Sequence, residues 1–415
     1  MAAALRIPKV IAPDGVTKIV NELTVQAEPL WVTEKIVAND PLTIPQTLLA
    51  LTSWRARFDV IRVYMDFADI DAAARSLNRN VVLLTAILYA NSVITDNAVD
   101  VTAAARRAAL RAMGTAANIP TQASGVEVGT ERTVVAADHV YGFGAPAGLY
   151  HYPAGGAEPT LHDDAHELYA RDGVDPEQRD QWPLGWRVLG MSPVFETRKQ
   201  NEVEGFDKRA SELGDALFEL MQNTDDHART DASGYPLKVS VRGVHVRALN
   251  GTRESRIAST SHRDLAEYFA ALPDEEYRTG DPSSRLRLVA VTVFDSGPGI
   301  AAKNLYGKGH RGDVTAKIEL PAMLDTLRRS DAGHAGGMRG LGLSRVQRYL
   351  TNVGGYAMVR SGRYRLTRDF LRFPFAGDKD VQEHWFGGVQ LPGPQPRVRG
   401  TAVTMVIPVT GGRHE

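Results

Sequence analysis

Arg285-Leu-Arg-Leu-Val-Ala-Val-Thr-Val-Phe-Asp295-Ser-Gly297-Pro-Gly299 is the stretch on which the reading of this chain turns. Its apolar run is rich in β-branched residues and is followed by turn residues, so it predicts a strand that ends at Asp295. A buried acid at a strand end can accept a hydrogen bond from an amine, and the exocyclic amino group of adenine is the obvious candidate. Gly297 and Gly299 let the backbone approach a ligand where a Cβ would stand in the way. Taken alone, Ser-Gly-Pro-Gly is also plain turn chemistry.

Working toward the N-terminus, Leu237-Lys-Val-Ser-Val-Arg-Gly-Val-His-Val alternates as a half-buried strand does. Before it, Val203 to Asp225 is helical in period, with Leu213, Leu217 and Leu220 on one face. This helix carries Glu219-Leu-Met-Gln-Asn223, a pair four residues apart and therefore on one side. The amide oxygen of Asn223 suits Mg²⁺, a hard cation that takes oxygen ligands and keeps waters while touching phosphates. A nearby carboxylate can orient or deprotonate an attacking water. Asp226 lies three residues further along the same side.

Working toward the C-terminus, Gly333, Gly336, Gly337, Gly340 and Gly342 crowd the approach to a helix, Leu341-Gly-Leu-Ser-Arg-Val-Gln-Arg-Tyr-Leu. A glycine loop that feeds a helix N-terminus offers free N–H groups and the positive end of the helix dipole to a phosphate. It is not a Walker A loop, because the Gly-Lys-Ser/Thr ending is missing. The strand order and ribose-binding acid of a dinucleotide fold are not evident either. A helix over 314–329, a hairpin near 355–366, a Pro/Gly-rich excursion over 372–398 and a last strand entered through Gly400-Thr401 complete this half.

As an ordered set these stretches resemble the GHKL ATPase superfamily, which includes DNA gyrase, Hsp-ninety-type chaperones, sensor histidine kinases and MutL-type repair proteins. The resemblance covers roughly residues 200–410. It implies an α/β fold: a C-terminal Bergerat-type sandwich over 196–415, with a mixed sheet and helices on one face. It also implies ATP and Mg²⁺ as ligands. By that likeness Asn223 holds Mg²⁺, Asp295 binds adenine, and Gly297 and Gly299 make room for the base. Gly337, Arg339, Gly340, Leu341 and Gly342 take the phosphates, Thr401 supports the adenine pocket, and residues 300–336 form a lid. Glu219 is the general base of the hydrolytic branches, which points to a slow ATPase whose lid closure acts on an N-terminal domain or a partner. In those branches a lysine from a following domain completes the site. Here the chain runs only a few residues past its last strand, so a residue of this chain or of a partner is expected instead, with Lys303, Lys308, Arg311 and Arg339 as candidates. A histidine or serine protein kinase is the alternative, with His166-Glu167 as the faint trace of a phosphoacceptor hairpin. A non-catalytic, nucleotide-gated scaffold is the other.

Residues 1–195 form a mixed, partly helical N-terminal domain that resembles nothing specific. Prolines at 8, 13, 29, 41 and 45 predict strands and loops rather than long helices before residue 50, and an alanine-rich helical block follows to about 117. Phe58-Asp-Val-Ile-Arg-Val-Tyr within it is readable as a strand. Trp31, Trp54 and Tyr64 are assigned to the core. Residues 248–284 read as a polar insertion, either a surface excursion or a functional arm.

Composition narrows the rest. With 415 residues and 43% hydrophobic content the chain can bury a real core. A formal net charge of −1 gives no global reason to expect nucleic acid. The chain has no cysteine, which excludes disulfides, thiolate metal sites and cysteine nucleophiles. No apolar run is long enough to span a bilayer, and a basic leader with an apolar core is not evident. The expectation is a cytoplasmic protein with ATP and a protein partner or its own copy as binding partners, and no membrane.

Overall fold

The computed structural model describes residues 5–11, 15–25, 30–33, 36–38, 40–58, 60–65, 77, 80–117, 131–138, 150–151, 160–161, 206–228, 230–235, 237, 240–272, 286–328, 342–376, 384–385 and 395–408. In chain order the first elements are β1 (Leu5–Ile7), β2 (Val10–Ile11), α1 (Gly15–Val25), β3 (Leu30–Val32), β4 (Val37–Ala38), α2 (Thr43–Arg57), β5 (Arg62–Met65), α3 (Val81–Tyr89), β6 (Ser92–Thr95) and α4 (Thr102–Ala117). Then come β7 (Glu131–Asp138), β8 (Tyr150–His151), β9 (Thr160–Leu161), α5 (Phe206–Ala228), β10 (Ser240–Gly251), α6 (Arg253–Ala258) and α7 (Arg263–Ala271). The last are β11 (Leu286–Asp295), α8 (Ile300–Gly307), α9 (Ala316–Arg328), α10 (Gly342–Val353), β12 (Tyr356–Gly362), β13 (Tyr364–Asp369) and β14 (Val398–Pro408). Among the described residues, no helix is long and apolar enough to cross a membrane.

Two sheets organise these elements. The first is a parallel four-stranded sheet in the order β1-β3-β5-β6. The second has six strands in the order β13-β12-β14-β11-β10-β7. Every pairing in this second sheet is antiparallel. The molecule is thus α/β, but the parallel and antiparallel strands lie in separate sheets rather than in the one mixed sheet expected. The edge strand β7 comes from the segment assigned by sequence to the N-terminal domain, so the six-stranded sheet draws on both sides of residue 195.

The six-stranded sheet is covered on both faces, not one. Successive side chains of a strand point to opposite sides, and the buried residues sort accordingly. Val244, Val246, Val289, Val291, Val293, Met405 and Ile407 face a layer built from α5, α8, α9 and α10. Phe294, Val241 and Ala402 face the other way and share one continuous core with the N-terminal helices and the parallel sheet. Helix α2 lies against β14 and β11, and α3 touches both β10 and β3. The order of layers is parallel sheet, helices α2 and α3, antiparallel sheet, helices α5 and α8–α10.

Helix α2 overturns the expectation that residues 1–50 lack long helices. Pro45 sits in its first turn, where a helix N–H has no intrahelical acceptor to lose. Its residues from Thr43 to Trp54 are all buried. A helix buried on every side has no polar face, so the amphipathic signal is missing. Its hydroxyls are satisfied internally: Thr47, Thr52 and Ser53 donate to the carbonyls of Thr43, Leu48 and Leu49 at 3.0, 3.0 and 2.7 Å.

The remaining expectations fare as follows. The apolar run 81–94 is a helix followed by a strand, and Asn80 caps the helix by accepting from the Leu83 N–H at 2.9 Å. Phe58–Tyr64 does contain a strand, β5. Asp100 accepts from the Thr102 N–H at 2.9 Å at the start of α4. Trp54 is fully buried, and Trp31 stacks on Tyr64 at 4.9 Å between ring centroids. The insertion begins as an extension of β10 and then forms α6 and α7, which pack Leu265, Tyr268 and Phe269 under Leu249, Leu288 and Met358. The described part of that segment is therefore cover for the far half of the same sheet face that α2 and α3 cover.

Trp54 fills the space between α2 and its neighbours. Replacing it with alanine is expected to cost about 3–5 kcal/mol, the range for deleting a large buried aromatic. Urea unfolding followed by far-ultraviolet circular dichroism would show the midpoint fall.

Candidate functional site

Strand register assembles a row of polar side chains across the sheet. Arg242 of β10 is the partner of Asp295 in β11, Asp295 of Thr401 in β14, and Thr401 of Ser361 in β12. Each stands on the face that meets α5, because its i±2 neighbours line that core. Arg242 is fully buried, and Asp295, Ser361 and Thr401 are nearly so. The Ser361 hydroxyl lies 3.2 Å from that of Thr401 and donates to the Gly400 carbonyl at 3.2 Å. It also accepts from the Ile300 N–H at 3.0 Å, fixing the start of α8 to the row.

Asp295 is the electrostatic centre of the row. Burial pushes its carboxyl up to about 7, against the pull of the Gly297 and Thr401 N–H groups and the Arg242 guanidinium. The Gly297 N–H donates to Oδ1 at 2.8 Å. Behind the loop, the Val241 N–H donates to the Ser296 hydroxyl at 2.8 Å. Ser296 in turn hydrogen-bonds Tyr89 of α3, whose phenol is also 3.1 Å from Thr52 of α2. Burial pushes the Tyr89 phenol up to about 12, which keeps it protonated. The strand-end loop therefore rests on the N-terminal layer through hydroxyl contacts.

The glycines of this loop have local reasons to be glycine. A Cβ on Gly297 would sit 2.7 Å from the Ala228 Cα at the end of α5. Gly299 has φ +91° and caps α8. A Cβ there would approach the Ser361 hydroxyl to 2.8 Å. Gly400, at φ +87°, lies directly against the Asp295 carbonyl. The tight approaches are made by protein atoms, so these positions permit the loop to nest between α5 and β14 rather than leave room for a ligand.

The second cluster sits further back along α5. Glu219 is almost buried, Asn223 is half-buried, and the backbone of Asp226 belongs to the same helix. The Arg345 guanidinium, in the first turn of α10, donates to Glu219 Oε1 at 2.6 Å. Nine residues separate Glu219 from Ala228, the residue against Gly297; at the helical rise that is about 14 Å. One helix thus connects the two clusters.

Three of the cations foreseen as phosphate contacts are engaged locally. Lys303 donates to the Thr230 hydroxyl at 2.9 Å, Lys308 pairs with Asp325 at 2.8 Å, and Arg311 lies 3.7 Å over the Tyr306 ring. The first part of the foreseen lid, helices α8 and α9, is built into the core through Ala301, Met323 and Leu327. Glu319 anchors α9 to the β12–β13 turn by an ion pair with Arg363 at 2.8 Å. Gly337, Arg339, Gly340 and Leu341 lie outside the described residues, as does His166; Gly342 is the first residue of α10.

Sequence reasoning missed Arg242, Ser361 and Arg345. Their signal was positional: only register places Arg242 and Ser361 in line with Asp295, and only packing of α10 on α5 brings Arg345 to Glu219. Comparison with protein-family models, curated proteins and solved structures finds no match to this chain.

A raised carboxyl has a defined consequence for stability. The unfolded chain ionises Asp295 near the ordinary 3.8, whereas the folded one holds the proton to about 7. Its contribution is fully present below the unfolded value and is lost as pH rises through the folded one. Asp295→Asn is expected to flatten this loss, so its gain in unfolding midpoint over wild type should be larger at pH 8 than at pH 4. Thermal unfolding across that range would check it.

Proposed function

We propose that this chain is an Mg²⁺-dependent ATP-binding protein with slow ATPase activity, and that nucleotide binding acts on its N-terminal layer or a protein partner. The observation that carries the reading is the buried Asp295 in its polar row, whose loop packs on the end of α5, the helix that carries Glu219 and Asn223. The resemblance of the four sequence stretches to the GHKL superfamily, with its Bergerat-type fold, supports the same assignment.

In this reading the ionised Asp295 accepts a hydrogen bond from the adenine amino group, with Thr401 as its neighbour on β14. Asn223 fits Mg²⁺ as a donor of one amide oxygen on a half-buried helix face, the partial ligand set this ion takes when phosphates and waters complete it. When bound, the ion would neutralise charge on the phosphates. Glu219 takes the proton of the attacking water. The water oxygen bonds to the terminal phosphorus, the bond from that phosphorus to the bridging oxygen breaks, and its electron pair leaves with ADP. The contacts of Tyr89 with Ser296 and Thr52 give the adenine end a mechanical route into α2 and α3.

The engagement of Glu219 by Arg345 favours one second reading, a nucleotide-gated scaffold that binds without turnover. Two measurements separate these. Glu219→Ala is expected to keep nucleotide binding and to lose phosphate release by about 100-fold or more, the scale of removing a general base. Binding by wild type with no release above background would leave the scaffold. Independently, affinity for adenine nucleotide is expected to fall below pH 7, by at most about tenfold per pH unit, because the ionised Asp295 accepts the amine more strongly than the neutral acid. Calorimetric titration at several pH values reads it, and a flat profile would remove Asp295 from base recognition.

A further inference from the structure

The pair formed by Glu219 and Arg345 does more than join two helices. Glu219 is the carboxylate that would take a proton from water, yet its Oε1 accepts a guanidinium N–H at 2.6 Å. The Glu219 side chain is 10% exposed and that of Arg345 33%, so the anion is fixed in the core's edge while the cation retains access to solvent. Arg345 springs from the first turn of α10, three residues after Gly342. Its side chain is long enough to sweep the helix end, where an anion is favoured by exposed N–H groups and the dipole. Lys303, Lys308 and Arg311 are held by Thr230, Asp325 and Tyr306.

Resting on the ATP reading above, we propose that Arg345 is a two-position residue. In the position seen here it clamps Glu219 and silences it as a base. With ATP bound it moves its guanidinium to the terminal phosphate and releases Glu219 to the attacking water. The exchange is favoured because a terminal phosphate carries more charge than a carboxylate and offers several oxygens to the planar donor fork. ADP lacks that phosphate, so hydrolysis returns Arg345 to Glu219. Activation of the base is thereby coupled to the presence of the bond to be broken.

The test compares ADP with a non-hydrolysable ATP analogue by calorimetric titration of the full chain, beside steady-state phosphate release. Arg345→Ala is expected to bind ADP within about threefold of wild type but the ATP analogue at least about tenfold more weakly, which is about 1.4 kcal/mol. Its kcat should fall, and Arg345→Lys should restore part of both losses. Glu219→Gln removes the charge that holds Arg345 and is expected to tighten the ATP analogue relative to ADP, which also serves should Arg345→Ala fail to fold. A purely structural Arg345 would shift ADP and the ATP analogue in parallel, and that result, or a Glu219→Gln variant with unchanged selectivity, overturns the proposal while leaving the ATP reading intact. Wild type that binds neither nucleotide overturns both.

Discussion

Asp295 is a carboxylate that folding deprives of water, and the architecture around it is arranged by that constraint. It ends β11, an interior strand with β10 on one side and β14 on the other. A charge so placed is tolerated only where donors converge on it. The Gly297 and Thr401 N–H groups are those donors and the Arg242 guanidinium adds its positive charge, each delivered by a different strand or turn. The register of β10, β11 and β14 cannot slip by one residue without turning this row to the opposite face. Correct pairing and a correct site are therefore one requirement.

The same constraint explains why the N-terminal layer is inseparable from the sheet. Ser296 follows Asp295 directly, and its hydroxyl bonds the Val241 N–H and Tyr89. Ser53 of α2 accepts the Arg399 N–H at 2.8 Å, next to the Gly400 that touches the Asp295 carbonyl. Leu49 stands 3.1 Å from where a Gly400 Cβ would be. Helices α2 and α3 thus form the back wall of the strand-end loop. A displacement of that loop is felt first by Tyr89, Thr52 and Ser53, which are buried and already hydrogen-bonded. Close-packed interiors transmit such shifts rather than absorb them.

The opposite face is organised around α5. Its buried stripe of Leu213, Ala216, Leu217 and Leu220 fixes its rotation, and that rotation leaves Glu219 and Asn223 toward α10. Packing thus decides which polar residues share a site. The ion pair of Glu219 with Arg345 likewise follows from the closeness of two helices distant in sequence. On the far half of the face that α2 and α3 cover, α7 closes the sheet with Tyr268 and Phe269, and Asp264 accepts from the Tyr356 hydroxyl at 2.6 Å.

Much of the C-terminal half was legible in the chain itself, because its signals are local. The 3.6 period of α5 and α10 depends on one buried face each. Strands β10 and β11 are buried on both faces yet remain legible, β10 by its alternation and β11 as an apolar run rich in β-branched residues. The strand-end Asp295 and the glycines beside it are read in a single window. The pairing of Glu219 with Asn223 needs only one helical turn. What the sequence could not determine is everything set by distant neighbours. Helix α2 is buried on all sides and shows no amphipathic stripe. The separation of parallel from antiparallel strands depends on which edges meet, and the alignment of Arg242 and Ser361 with Asp295 depends on inter-strand register. The clamp on Glu219 comes from a residue 126 positions away. Periodicity carries information about faces; only tertiary packing decides what those faces meet.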